Sequence, residues 1–255
     1  MGETPLLEVR RVWKAFGGNQ AVRDVSLRLS PGDVRAVIGP NGAGKTTLFN
    51  LLTGHLTCDL GAVLFKGERI SGLPPHRIWR RGISRTFQIS ATFRSLTVRE
   101  NVQVAILSHL GRSREMFSST RHLVREPAAE LLEGVGLQGQ AECASGALSY
   151  ADLKRLELAV ALANDPELLL LDEPTAGMAP QERMDLMALV LRSVEERGLG
   201  VLFTEHDMDV VFAVAGRILV LHQGEVLSEG TPQEVRESRA VQEVYLGGPA
   251  PGEGR

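Results

Sequence analysis

The sequence predicts an α/β protein with a mostly parallel sheet, and three observations support this. Short, almost continuous apolar runs at 34–38, 168–171 and 201–204 are typical of strands buried on both faces of a parallel sheet. Each run precedes a segment in which apolar residues recur at helical spacing. The first run leads into its helix through a glycine-rich segment, and the rest of the chain is organised around that segment.

The glycine-rich segment has the spacing G-x-x-x-x-G-K-[ST], which between a strand and a helix is typical of a phosphate-binding loop. Glycines allow successive backbone N–H groups to curl around phosphate oxygens, and the N-terminus of the next helix directs more N–H groups at them. Lys45 can reach the β- and γ-phosphates, and the Thr46 hydroxyl can bind Mg²⁺. The sequence therefore predicts that a nucleoside triphosphate is bound by nine residues: Gly39, Pro40, Asn41, Gly42, Ala43, Gly44, Lys45, Thr46 and Thr47.

Composition and charge argue against several other classes of protein. The chain has 255 residues, of which 43% are hydrophobic and 23% charged, and its net charge is −3, as in an ordinary globular protein. Its basic residues are scattered, which does not favour nucleic-acid binding. Cys58 and Cys143 lie far apart and outside the spacing of a zinc site, as expected in a reducing cytoplasm. With neither a signal-peptide pattern nor a membrane-spanning apolar run, we expect a soluble protein that reaches a membrane only through a partner.

On either side of the loop the sequence has β-strand character. Residues 6–38 are predicted to be β-rich, with a turn at Pro31-Gly32 before the strand that feeds the loop. Phe16 lies in a predicted linker, where it could stack on a purine base, although a packing role fits it equally well. After the loop, the helix is expected to end near Gly54, and residues 63–65 to form a short strand.

A helical segment is predicted between two α/β segments. It follows a short strand at 83–87, and Thr97 with Glu100 has the spacing of a capping box. Pro127 fits a helix start, and the next helix is expected to begin at Ser149. The predicted domains are a catalytic core of residues 1–88 and 164–247, a helical insertion at 89–163, and a disordered tail at 248–255.

Two acidic residues follow the apolar run at 168–171. At the carboxyl end of a strand beside the phosphate loop, Asp172 can hold Mg²⁺ through water and Glu173 can polarise an attacking water as general base. Two acids after a strand usually form only a solvated strand end, but the upstream phosphate loop favours the catalytic interpretation. The later elements are predicted as a helix at 180–197, a strand at 201–204, a helix from 208 and a hairpin around Gly224.

In order and spacing, these motifs resemble those of ATP-binding cassette (ABC) ATPases, the nucleotide-binding subunits of membrane transporters. The resemblance covers about Leu6 to Gly247. It rests on the phosphate loop, Gln88, Leu148-Ser149-Tyr150-Ala151-Asp152, 168–173, Ala176-Gly177-Met178-Ala179-Pro180 and His206. It implies a phosphate-loop (RecA-like) core with a mostly parallel sheet, an N-terminal antiparallel β subdomain and an inserted α-helical subdomain.

The same resemblance implies roles for individual residues. Gln88 would contact Mg²⁺ or the attacking water, and His206 would contact the γ-phosphate and hold the catalytic water. Phe16 stands where the family usually has an aromatic residue against adenine. The family works as a dimer, in which each ATP lies between the phosphate loop of one subunit and the signature helix of the other. In this chain the signature helix would begin at Ser149.

The signature departs from the usual Leu-Ser-Gly-Gly-Gln in its last three residues, Tyr150, Ala151 and Asp152. Importers of branched-chain amino acids often have Tyr at the first of these positions. Ala151 replaces a glycine where the backbone approaches the partner's γ-phosphate, and Asp152 adds a carboxylate near a polyanion. Ser149 with Asp152 also fits an ordinary helix cap. We expect the dimer to close and hydrolyse ATP, with weaker closure than usual.

Four segments are similar to those in the ATPases of branched-chain amino acid importers: 83–88, 176–180, 205–208 and 243–247. The similarity implies ATP and Mg²⁺ as ligands, a sister ATPase or a second copy as dimer partner, and permease subunits that contact residues 89–96, with Phe93 as a candidate. It places the chain on the cytoplasmic face of the inner membrane. The alternatives are an exporter ATPase, a nucleic-acid ATPase, which the missing basic face disfavours, and a low-turnover regulatory module, which Glu173 and His206 disfavour.

Overall fold

The computed structural model describes residues 4–86, 92–112 and 124–246 of a chain that divides into two compact units. The terminal unit comprises the described residues up to Ile78 and from Gly200 onward, and the middle unit runs from Trp79 to Leu199. The domain limits expected from the sequence, at residues 88 and 164, stay predictions. In the described part of the chain, no helix combines the length and apolarity that crossing a bilayer requires.

The terminal unit is mostly β-structure in its first part and alternates between strand and helix in its second. Its first part consists of β1 (Leu7–Phe16), β2 (Asn19–Leu29), β3 (Val34–Ile38), α1 (Lys45–Leu52), β4 (Leu60–Phe65), β5 (Glu68–Arg69) and α2, which spans Pro75–Trp79 and so ends at the boundary of the unit. Its second part consists of β8 (Gly200–Thr204), α7 (Met208–Val214), β9 (Arg217–His222), β10 (Glu225–Gly230), α8 (Pro232–Glu237) and α9 (Arg239–Leu246).

An antiparallel sheet is formed near the N-terminus, with strand order β2-β1-β4-β5. Leu7 pairs with Leu29 in β2 and with Phe65 in β4, and these apolar side chains are buried. Phe16 is not in a linker, which corrects the prediction, because β1 continues to Phe16 and pairs it with Asn19. Only Gly17 and Gly18 remain as the turn, and their positive φ angles of 53° and 91° close the hairpin tightly.

The parallel part of the terminal unit places β3 between β8 and β9, and it is parallel to both. β10 is antiparallel to β9, as the hairpin around Gly224 predicts. Val37, Ile38 and Phe203 are fully buried, as expected for strands covered on both faces. The apolar runs at 34–38 and 201–204 are therefore strands, and the α/β fold class is confirmed.

The middle unit is mainly helical. It consists of β6 (Ile83–Arg85), α3 (Val98–His109), α4 (Arg125–Gly134), α5 (Tyr150–Leu162), β7 (Leu168–Asp172) and α6 (Pro180–Arg197), with short 3-10 turns at Gln138–Gln140 and Ser145–Ala147. β6 runs parallel to β7, whose five residues are all buried. Of the strand predicted at 83–87, Ile83–Arg85 form a strand, Thr86 does not belong to it, and Phe87 lies outside the described residues.

Several helix ends follow from local sequence. Thr97 and Glu100 form the predicted capping box at the start of α3, in which each side chain accepts a hydrogen bond from the other residue's backbone N–H. Pro127 lies in the first turn of α4, which begins at Arg125. The sequence analysis missed α8 although its signal is present: Thr231 and Glu234 form a capping box around Pro232.

Candidate functional site

The phosphate loop leaves the buried end of β3 at Ile38 and ends in the first turn of α1. Gly44 caps α1 with φ of 104° and no side-chain hydrogen bond, so the first N–H groups of the helix are not taken up by a capping side chain. The Ala43 N–H donates to the Pro40 carbonyl at 3.1 Å, which curls the loop. The backbone thus has the geometry of an anion-binding concavity at a helix N-terminus.

Two other backbone segments of the terminal unit lie directly behind this loop. A Cβ on Gly44 would overlap the carbonyl oxygen of Ala21 in β2, and a Cβ on Gly39 would overlap the carbonyl oxygen of Leu221 in β9. Glycine is therefore required at both positions by close approach as well as by backbone conformation. The sequence motif predicts these glycines, but only the fold shows that β2 and β9 pack closely against them.

The turn between β9 and β10 also supports the loop. The Gly224 N–H donates to the Ala43 carbonyl at 3.1 Å, and the Gly224 carbonyl accepts from the Arg23 N–H at 2.7 Å. Gly224 has φ of 83°, and a Cβ there would lie 2.9 Å from the Gln20 carbonyl oxygen. The sequence analysis identified Gly224 only as a hairpin turn, and no local signal in the sequence indicates its contact with the loop.

Lys45 is the buried cation of the loop. It is 7% exposed, and its Nζ donates to the Gly39 carbonyl at 2.5 Å and to the Pro40 carbonyl at 3.2 Å. These bonds fix the ammonium group inside the curl of the backbone. Asn41 and Thr46 are exposed, so the loop is open to a ligand from its outer side.

Phe16 lies at the end of β1 with 47% of its surface exposed. The Lys14 Nζ lies 5.6 Å from the centre of its ring and is bound to Asp59 Oδ1 at 2.7 Å. Asp59 Oδ2 also accepts from the Ala15 N–H at 2.8 Å. The hydrogen bond from Lys14, and to a smaller extent that from Ala15, holds the pKa of the Asp59 carboxyl below its usual value. A partly exposed ring supported by a cation can offer a flat surface to a base.

His206 lies two residues after the end of β8 and is exposed. Its backbone N–H donates to the carboxylate of the buried residue Glu205 at 3.2 Å. Asp207 then caps α7 by accepting from the N–H groups of Asp209 and Val210. The end of β8 and the cap of α7 therefore fix the backbone on both sides of the imidazole.

In the middle unit, Asp172 is the last residue of β7 and is 6% exposed. Its Oδ2 accepts from Arg85 Nη2 at 2.7 Å, and this arginine on the neighbouring strand is itself 7% exposed. The sequence analysis did not identify Arg85 as a partner of Asp172, although β6 is predicted. The pair is a charge-assisted hydrogen bond with little access to water, in which each residue compensates the other's buried charge.

Glu173 follows Asp172 and has φ of 49°, in the left-handed region that non-glycine residues rarely occupy. Its carbonyl accepts from the Ala176 N–H at 3.2 Å, which closes the turn after β7. Its side chain is half-buried. Backbone strain of this kind concentrates at functional positions, where the surrounding structure enforces it.

The signature segment opens α5. Ser149 is the N-cap, and its Oγ accepts from the Asp152 N–H at 3.1 Å, as the spacing of the two residues predicts. The Tyr150 hydroxyl donates to the Ala176 carbonyl at 3.0 Å, so the signature lies against the turn that follows Glu173. Ala151 is only 8% exposed. Its methyl group therefore has little exposed surface, and the expectation that it lies near the partner's γ-phosphate stays a prediction.

The predicted site residues fall in both units. The terminal unit holds the phosphate loop, Phe16 and His206. The middle unit holds Glu173 and the signature segment, which lies against the turn that follows Glu173. Gln88 lies outside the described residues. Among the described residues, no group of three or more His, Cys, Asp or Glu side chains is arranged to hold a metal ion. Thr46 in the terminal unit supplies a hydroxyl oxygen and Asp172 in the middle unit a carboxylate oxygen, both of the kind that Mg²⁺ prefers, and their joint role in binding the ion stays a prediction.

Comparison with known proteins gives consistent results. The family model described as ABC transporter matches residues 22–176, and one described as branched-chain amino acid ATP-binding cassette transporter matches residues 225–251. The chain is 40% identical to the high-affinity branched-chain amino acid transport ATP-binding protein BraF of Pseudomonas aeruginosa, over 95% of this chain and 98% of the relative. It is also 40% identical to LivG of Escherichia coli K12, a protein of the same description, with the same coverage. A crystal structure of the ADP conformation of an ATP-binding cassette of an ABC transporter has a TM-score of 0.87 and 31% identity, covering 96% of this chain and 100% of that chain.

Proposed function

The chain belongs to the ABC transporter family of ATPases, and from this premise we propose that it powers an importer of branched-chain amino acids or similar small polar solutes. The observation that carries the proposal is the phosphate loop, whose curled backbone and buried Lys45 match the demands of a nucleoside triphosphate. The names of BraF and LivG, and the family match at 225–251, support the class of solute and the direction of transport.

In the proposed reaction, the N–H groups of residues 39–47 and the Lys45 ammonium bind the phosphates of ATP, and the Phe16 ring supports the adenine. Thr46, Asp172 and Gln88 would hold Mg²⁺, which would neutralise charge on the phosphates. Glu173 takes a proton from the attacking water, since its carboxylate is half-buried and held on a strained turn. His206 holds that water and contacts the γ-phosphate, which spreads the charge that develops in the transition state.

We further propose that two such ATPases close on two ATP molecules, with Ser149, Ala151 and Asp152 of each facing the nucleotide bound by the other. ATP favours the closed dimer and ADP the open one, so hydrolysis drives the cycle through differential affinity. Permease subunits would contact the region after Gln88, including the exposed Phe93, and hold the ATPase peripherally at the cytoplasmic face of the inner membrane.

The experiment that tests this function measures ATP hydrolysis by the purified chain over a range of protein concentrations, beside Glu173→Gln. We expect wild-type activity to rise faster than linearly with protein concentration, because each site needs two chains. Glu173→Gln should lose hydrolysis yet accumulate an ATP-bound dimer. Activity that is proportional to protein concentration, or that survives Glu173→Gln, would contradict the shared site or the general base, respectively.

A further inference from the structure

The signature residue Asp152 makes contacts that bear directly on Ser149. Ser149 Oγ accepts from the Asp152 N–H at 3.1 Å and donates its only proton to Asp152 Oδ2 at 2.8 Å. Serine has one O–H donor, so both bonds to Asp152 leave the Ser149 hydroxyl with no second proton to offer. Ser149 is exposed, so this bond lies at the surface that another subunit can reach.

The Asp152 carboxylate is held in place by groups outside the signature. Gln140, the last residue of the 3-10 turn at Gln138–Gln140, donates from Nε2 to the same Oδ2 at 3.1 Å. The Arg155 guanidinium lies 3.9 Å from Oδ1, one turn along the helix. About a fifth of the Asp152 side chain is exposed (21%), so the carboxylate is neither free to swing away nor removed from the surface.

The neighbouring departure from the family pattern has no comparable effect. Ala151 is 8% exposed, and its methyl group adds little to the surface that faces outward. The departure that adds a charge to this signature is therefore one residue, Asp152.

We propose that Asp152 is a positioning residue that restrains dimer closure by holding the Ser149 proton in an intramolecular hydrogen bond. This inference rests on the proposed function, in which Ser149 faces the nucleotide bound by the other subunit, so that its hydroxyl is placed to donate to a phosphate oxygen of that nucleotide. To do so, Ser149 must break a bond to a charged acceptor, which is about twice as strong as a bond to a neutral one. The cost of breaking that bond raises the ATP concentration at which the dimer forms.

The test compares ATP-driven dimerisation of Glu173→Gln with that of Glu173→Gln carrying Asp152→Asn or Asp152→Ala. Asparagine removes the charge but keeps an oxygen acceptor, whereas alanine removes both. We expect Asp152→Asn to strengthen closure about fivefold at each site, hence on the order of 25-fold in the dissociation constant of a dimer with two sites. Asp152→Ala should strengthen it at least as much, measured by sedimentation or light scattering at several ATP concentrations.

Two controls separate this mechanism from simpler ones. Asp165→Asn removes the same charge from an exposed position of the middle unit, 87% of whose side chain is accessible, and should leave dimerisation unchanged. In a Ser149→Ala background, Asp152→Asn should lose most of its effect, because no hydroxyl proton is left to release. An equal gain in that background, or in Asp165→Asn, would show that charge alone is responsible and would overturn the inference.

Binding of a fluorescent ATP analogue to the monomer distinguishes failure of this inference from failure of the proposed function. Asp152→Asn should leave that affinity unchanged, since Asp152 acts on the other subunit's nucleotide. If the monomer binds ATP and Asp152→Asn does not strengthen dimerisation, the restraint is wrong while ATP binding stands. If the chain does not bind ATP at all, the proposed function fails first.

Discussion

Replacing Gly44 by alanine tests whether close packing behind the phosphate loop sets its affinity for ATP. Gly44 has φ of 104°, and a Cβ there would overlap the Ala21 carbonyl oxygen of β2. Neither side can yield easily. β2 is held by its pairing with β1, and α1, which starts at the next residue, buries Leu48 and Phe49 completely.

The magnitude follows from the size of the overlap. Relieving the overlap requires a displacement of about 1 Å. The methyl group cannot be absorbed without this displacement, because protein interiors are closely packed and leave no void for it. The strained backbone adds about 1–3 kcal/mol to the cost of folding. Since the N–H groups of the loop must meet charged phosphate oxygens at hydrogen-bond distance, a displacement of about 1 Å that costs one or two of these bonds lowers ATP affinity on the order of 100-fold.

Gly42→Ala is the matched control within the same loop. Gly42 also has a positive φ, of 81°, but among the described residues no atom lies within 4 Å of a Cβ placed there. It should cost about 1–2 kcal/mol of stability from its conformation alone. The free and ATP-bound states both carry that cost, so the affinity for ATP should fall less than about fivefold.

The assay is titration calorimetry with ATP, beside urea unfolding of each variant to confirm that the chain is folded. If Gly44→Ala and Gly42→Ala bind ATP equally well while both are folded, the clash with Ala21 does not control the loop and the reasoning is refuted.

Three other predictions rest on separate features. Lys154→Met should lower the free energy of unfolding by about 3–5 kcal/mol, because it leaves the buried carboxylate of Glu157 without the partner that lies 3.1 Å away. The pKa of Glu8 is lowered by its hydrogen bond from Arg10 and further by Arg28. The stability that the Glu8 carboxylate contributes is therefore complete above the ordinary value of 4.5 and is lost as pH falls through the lowered value. Glu8→Gln should make the free energy of unfolding depend less on pH in that range. Phe16→Ala should raise the KM for ATP on the order of tenfold through lost stacking, with kcat at saturating ATP unchanged.

Each of these has a matched control. The double variant Lys154→Met with Glu157→Leu should recover most of the stability, because no buried charge is left, and persistence of the full loss would contradict the account. The double variant Arg10→Met with Arg28→Met keeps the Glu8 carboxyl but removes the two groups that lower its pKa, so it should flatten acid unfolding in the same way as Glu8→Gln. Phe16→Ala should leave the affinity for inorganic tripolyphosphate unchanged, and an equal loss for that ligand would point to damage in the loop.

Much of the fold could be predicted because its signals are local. The phosphate loop, the capping box at Thr97 and the span of α6 from Pro180 to Arg197 depend on residues within a turn or two of each other. Apolar runs at 34–38 and 168–171 identify buried strands without reference to their neighbours. The placement of Phe16 was wrong because the end of β1 depends on its pairing with β2, which a single strand does not reveal.

The sequence by itself determined the chemistry of this protein: a loop that binds a triphosphate, two acids after a buried strand and a signature whose last residues are unusual. Only the tertiary structure decided what surrounds that chemistry. It placed Gly224 and Ala21 behind the loop, paired Arg85 with Asp172, covered the Ala151 methyl and joined Gln140 to Asp152. Each of these contacts joins residues that do not share a helical turn or a strand. They are therefore fixed by the register of the strands and the packing of the helices, and neither the register nor the packing is encoded by residue spacing in the sequence.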